Sequence, residues 1–224
     1  MLLSRRQVIE AGAATAALTA ISSPLLATVN DQIPGSVPSP YRVPARPRTS
    51  VDPILDPRMV ARARAAFDRH RNALSHIDVV GIADYTKPSA DPRFYLLDTN
   101  SGRVTRHLVA HGRGSDPEHT GFLQHFSNRP GSEASSSGAY VTGEYYPGHY
   151  GRAMRVRGLD PSNSNAESRA IVVHSAWYAE PGVLASMGRL GRSEGCFALS
   201  HASLQEVLER LGPGHFLYAD RLGA

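Results

Sequence analysis

The pattern of apolar and polar positions changes character twice along this chain. Beyond residue 56, Met59, Val60, Ala63, Ala66, Phe67 and Leu74 recur at helical spacing, with Arg62, Arg64, Arg69 and Arg71 on the opposite side. Asp56 stands where a cap is needed and Pro57 where the first helical position falls, so the pattern predicts an amphipathic helix running to about Ser75. The period then shortens to that of strands, over residues 77–83, 93–98, 103–110, 138–145, 153–158, 169–175 and 214–220. Thr99-Asn100-Ser101-Gly102 has the chemistry of a hairpin turn and joins the second strand to the third. A second helix, residues 202–211, follows Ser200 as its cap and turns Leu204, Val207, Leu208 and Leu211 inward. Strands dominate and helices sit at the margins. The expected fold class is therefore mainly β, a single β-sandwich or barrel-like domain with a few peripheral helices.

Two stretches follow neither period. Residues 111–138 are rich in Gly, Ser, His and Pro and read as a long surface loop, a feature that in compact domains is usually functional or lacks fixed structure. At the other extreme, Ser4-Arg5-Arg6-Gln7 leads into an Ala/Thr/Leu stretch that ends near Ala27. Residues 1–27 thus read as a secretory signal of the twin-arginine type, too short in its apolar part for a membrane span. Prolines at 34, 38, 40, 44, 47, 53 and 57 make residues 28–57 an extended tether, which leaves residues 58–224 as the folded domain. The mature protein is expected in the periplasm or cell envelope, as a monomer.

Charge changes this picture little. The formal net charge is +4, and Lys87 is the sole lysine among the basic residues. The arginines are scattered and form no stripe, so a nucleic-acid partner is not expected, whereas a mild positive charge suits an anionic wall or membrane surface.

Candidate chemistry centres on one residue. Cys196 is the only cysteine, and in an exported chain it has no intramolecular partner. Such a thiol is either an inert, buried small hydrophobe or present for its reactivity. His174 closes the apolar run Ala170-Ile171-Val172-Val173, where a sheet would hold an imidazole rigidly, and Gly195 permits a tight turn that leaves the thiol exposed. Imidazole beside thiol is the usual means of making a thiolate nucleophile, and the amides at Gly195 and Cys196 are placed to meet an oxyanion. These parts suit acyl transfer and predict an accessible thiol of low pKa. His107, His111, His119, His125 and His149 fit no compact ligand pattern, so neither a metal nor an organic cofactor is expected.

Three blocks of sequence carry a resemblance. They are Phe126-Ser127-Asn128-Arg129-Pro130-Gly131-Ser132 with Ser136-Ser137-Gly138-Ala139-Tyr140-Val141-Thr142-Gly143-Glu144-Tyr145-Tyr146, then Ser168-Arg169-Ala170-Ile171-Val172-Val173-His174, then Gly188-Arg189-Leu190-Gly191-Arg192-Ser193-Glu194-Gly195-Cys196-Phe197-Ala198-Leu199. Together, over roughly residues 75–220, they resemble the murein L,D-transpeptidase catalytic domain family, a YkuD-type branch of cysteine transpeptidases.

The resemblance implies an enzyme acting on peptidoglycan stem peptides. Cys196 would attack the carbonyl of the penultimate residue of a tetrapeptide stem, with His174 as base, Ser175 orienting it through its carbonyl, and Gly195 in the oxyanion site. Ser193, Arg192, Arg189, Tyr146 and His111 are candidates for substrate contact. Two positions differ from the wider family: histidine two before the cysteine is Glu194 here, and arginine two after it is Ala198, which leaves Arg189 or Arg192 to supply the missing charge. An acyl-enzyme that passes to water, as in an L,D-carboxypeptidase, and a non-catalytic wall-binding module are the alternatives.

Overall fold

The computed structural model describes residues 55–223. The expected signal and all but the last three residues of the tether lie outside the described residues. Among the described residues no helix is long and apolar enough to cross a membrane.

Helix α1 (Pro57–His70) begins as expected, with the Asp56 carboxylate accepting from the Arg58 amide at 2.8 Å. It ends earlier than its apolar pattern suggested, because the chain tightens into a 3-10 turn at Arg71–Ala73 and Leu74 is already extended. The strands follow as β1 (Val79–Asp84), β2 (Phe94–Asp98), β3 (Val104–His107), β4 (Gly138–Gly148), β5 (Gly151–Gly158), β6 (Val172–Ser175), β7 (Phe197–Leu199) and β8 (Phe216–Asp220). Between them lie α2 (Pro181–Met187) and α3 (His201–Arg210). The mainly β architecture with peripheral helices is thus present.

All eight strands form one sheet in the order β3-β2-β1-β8-β4-β5-β6-β7. The Thr99–Gly102 turn does join β2 to β3 in antiparallel register, and the Asp98 carboxylate holds it by accepting from the amides of Asn100 and Ser101. Both faces of the central strands are buried. On β8, Phe216 and Tyr218 pack beneath α1 with Met59, Ala63 and Ala66, while Leu217 and Ala219 point into the other core with Leu204, Val207 and Leu208 of α3. The sheet's two edges are drawn together. Beyond β3 the chain crosses to β7, where the Ala110 amide donates to the Ala198 carbonyl at 2.9 Å, and Gly112 bridges to Ser193. That crossing brings the 111–138 segment against the loop that carries the cysteine.

Candidate active site

The site lies where parallel strands β6 and β7 meet, with Val173 beside Phe197, His174 beside Ala198 and Ser175 beside Leu199. One step back in that register sets Cys196 beside Val172, whose amide favours the thiolate. Cys196 and His174 are therefore two residues out of step on neighbouring strands, a separation of roughly 8 Å between α-carbons by strand spacing and rise.

The imidazole is held from two sides. His174 Nδ1 donates to the Ser175 carbonyl at 2.9 Å, which leaves the lone pair on Nε2. Tyr150 stacks on the ring with centroids 6.2 Å apart and planes 14° from parallel. The Ser175 hydroxyl donates to the Tyr150 carbonyl at 3.0 Å and so ties the β4–β5 hairpin tip to the end of β6. Burial pushes the His174 pKa below its ordinary value, against the pull of the Ser175 carbonyl. The ring is neutral at pH 7 and fit to act as a base. Its surroundings, Tyr146, His149, Tyr150, Ala153 and Val172, enclose a recess of about 170 Å³.

The cysteine loop is stapled by Ser193. Its hydroxyl donates to the Cys196 carbonyl at 2.8 Å and accepts from the Gly195 amide at 3.2 Å. Ser193 is only 3% exposed, so it shapes the loop rather than presenting itself to a ligand. Its own backbone is gripped by the crossing segment, its amide donating to the His111 carbonyl at 2.9 Å and its carbonyl accepting from Arg113 at 2.7 Å. Gly195 has φ of +111°. A β-carbon there would stand 2.6 Å from the Ala134 carbonyl oxygen, so both conformation and space require glycine.

Cys196 is partly buried, and its thiol donates weakly to the Ala170 carbonyl at 3.6 Å. Burial raises its pKa, the Glu194 charge adds to the rise, and the Val172 amide and Arg169 oppose it. The net direction is upward, which corrects the expectation of a low-pKa thiol. At pH 7 both the thiol and the imidazole of the resting site are neutral.

Other anticipated residues take up different posts. His111 is 1% exposed and does not reach the cleft. Its Nδ1 accepts from Arg93 Nη2 at 2.6 Å and its Nε2 donates to Asp116 at 3.3 Å, in a buried relay. Arg192 donates to the Asp116 and Pro117 carbonyls, and Arg189 lies against Gly121, so neither guanidinium is brought to the cysteine. Tyr146 lines the recess beneath Arg155, whose guanidinium is 4.6 Å from the ring centre. Glu194 is exposed at the rim and pairs with Arg113 at 3.1 Å. Ala198 is fully buried among Ala110, Ala176 and Leu190, a pocket with no room for an arginine.

Two contributors escaped the sequence reading. Arg169 donates to the carbonyls of Ser127 and Ala134, which sets its guanidinium beside Gly195 and Cys196. Tyr150 covers the histidine. Neither has a local signal, since each acquires its place only through strand pairing and loop packing.

No curated protein matches the chain. Solved structures that resemble it include an L,D-transpeptidase from Mycobacterium smegmatis, at TM-score 0.39 and 17% identity over 64% of this chain and 58% of that one. An L,D-transpeptidase from Mycobacterium tuberculosis H37Rv matches at TM-score 0.37 and 18% identity over 64% and 57%. The helical cell shape determining protein Pgp2 from Campylobacter jejuni, as its K307A mutant, matches at TM-score 0.42 and 14% identity over 72% and 55%. The chain thus spans between 55% and 58% of the length of these three structures. The profile of the L,D-transpeptidase catalytic domain matches residues 52–219 of the 224, and the chain belongs to that family.

Proposed function

We propose that this protein is a cysteine L,D-transpeptidase of the cell envelope, working on tetrapeptide stems of peptidoglycan through an acyl-enzyme on Cys196. The observation that carries the reading is the fixed tautomer of His174. With Nδ1 donated to the Ser175 carbonyl, Nε2 is a free base at the end of β6, one strand away from the thiol.

As Cys196 Sγ attacks the stem carbonyl, its proton passes to His174 Nε2. The imidazolium then protonates the departing amine of the terminal D-alanine as the carbon–nitrogen bond breaks, and a thioester remains on Cys196. An acceptor amine attacks the thioester, gives its proton to His174, and the thiol is released. Neutral partners make this a general-base route in which the thiolate forms only with substrate in place. Of the two amides expected at the oxyanion, that of Gly195 is engaged by Ser193, and that of Cys196 takes the role.

The deciding experiment incubates the protein with disaccharide tetrapeptide and identifies products by mass. A cross-linked dimer supports transpeptidation, and a tripeptide alone reassigns the acceptor to water. No product from the wild type, or an unchanged product pattern from Cys196→Ala, overturns the mechanism.

A further inference from the structure

We propose a divalent metal site, separate from the cysteine, formed by His76, Asp78 and His215 where β1 and β8 begin. The three residues offer one ligand atom each, and these atoms lie within 4.8 Å of one another. Asp78 Oδ1 and His215 Nε2 are 3.2 Å apart, near the roughly 3.4 Å that separates two ligands on one tetrahedral zinc with bonds of about 2.1 Å.

Two features resemble a built site rather than a chance cluster. His215 Nδ1 lies 2.8 Å from the Gly212 carbonyl, the outer contact that fixes a metal-binding imidazole with its lone pair on Nε2. The backbone is also prearranged, since the amides of Ser75 and His76 both donate to the Gly214 carbonyl at 2.9 and 3.1 Å. Gly214 has φ of +83°, and a β-carbon there would stand 2.8 Å from Ser75 and 3.4 Å from the His76 ring. The glycine lets the His76 ring lie nearly parallel to that of His215, with centroids 4.9 Å apart.

Two imidazoles and one carboxylate form a borderline donor set that suits zinc and its neighbours, not the oxygen-seeking calcium or magnesium. His76 and Asp78 are exposed while His215 is buried, so water can complete the coordination from the solvent side. A bound ion would pin the segment between α1 and β1 to the start of β8. It would act on stability, independently of the cysteine chemistry.

The test uses the full chain carrying Cys196→Ala, which removes the one thiol ligand. After chelator treatment, zinc chloride is titrated by calorimetry and thermal unfolding is followed with and without zinc. The expected result is one zinc per chain and a melting temperature that rises with the logarithm of zinc concentration. His76→Ala and Asp78→Asn change exposed side chains and should keep the fold. Each should weaken binding by more than the roughly 10–100-fold that loss of an outer contact brings, and abolish the thermal shift. If zinc is not taken up in stoichiometric amount, Asp78 and His215 form only a hydrogen-bonded pair and the proposal fails. It fails equally if both variants bind as well as their parent.

Discussion

The guanidinium of Arg169 lies against Gly195, with Nη2 only 3.2 Å from where a β-carbon on that glycine would stand. Its donors are committed to the carbonyls of Ser127 and Ala134, so it cannot swing away to make room. Gly195→Ala should therefore fold, because the change is confined to one loop, yet displace Cys196. A misplacement near 1 Å costs roughly 10²-fold in rate. Product formation from disaccharide tetrapeptide should fall by about that factor with circular dichroism unchanged, and wild-type turnover in Gly195→Ala would refute this account of the loop.

Glu194 and Arg169 pull the thiol in opposite directions. The carboxylate raises the Cys196 pKa and the guanidinium lowers it, both beneath the larger upward effect of burial. Glu194→Gln should shift the alkylation profile of the thiol to lower pH, and Arg169→Gln should shift it to higher pH. Glu194 is exposed, so raising ionic strength should shrink the first shift more than the second. Iodoacetamide rates across pH, read by intact mass, decide the matter.

His174 is held neutral by burial, its pKa depressed from the ordinary imidazole value of 6.5. Activity that depends on its free base is present at and above neutral pH and is lost only as pH falls below 6.5. The acid limb of the kcat/KM profile should accordingly lie below that of an exposed imidazole. His174→Ala should remove the limb and lower the rate by roughly 10²–10⁴-fold. An acid limb that survives the substitution would assign the base to another group.

His111 makes a prediction about stability instead. Its pKa falls to about 3, chiefly by burial and then by the Arg93 charge. The unfolded chain, with the ordinary value of 6.5, binds the extra proton between these limits. Stability contributed by the neutral ring is thus complete above pH 6.5 and is lost progressively as pH falls toward 3, to the extent of a few kcal/mol in order of magnitude. Gln in its place can still accept from Arg93 and donate to Asp116. His111→Gln should flatten the denaturation midpoint between pH 6.5 and 3, and an unaltered slope would show that the relay does not govern acid sensitivity.

Much of the frame was legible because it is local. Asp56 and Pro57 start a helix by capping chemistry, Asn100 and Gly102 turn a hairpin, and the apolar runs of β1, β2, β6 and β8 are buried on both faces. The ends of strands were less so. Residues 169–171 read as strand from their apolar content, yet Ala170 has φ of +54° and β6 begins at Val172. The three-residue β7 and the seven-residue α2 are too short for a period to register. Residues 111–138 carry no periodic signal, but they are fixed by side chains. Arg93, fully buried, donates to the Val109 carbonyl at 3.0 Å and to His111, and Asp116 gathers the amides of Thr120 and Gly121.

The sequence alone determined which atoms are chemically able to act: a single thiol, a strand-end imidazole, and a glycine between them that frees the backbone. Those are properties of residue type and short-range order. What the tertiary structure decided is their state and their neighbours. Pairing β6 with β7 placed His174 opposite a buried Ala198, and burial pushed the thiol pKa up and the imidazole pKa down. The crossing from β3 to β7 turned His111 from a candidate contact into a buried support. Charge state and access depend on desolvation, which sums over everything packed around a group, and that sum exists only once strands distant in the chain are side by side.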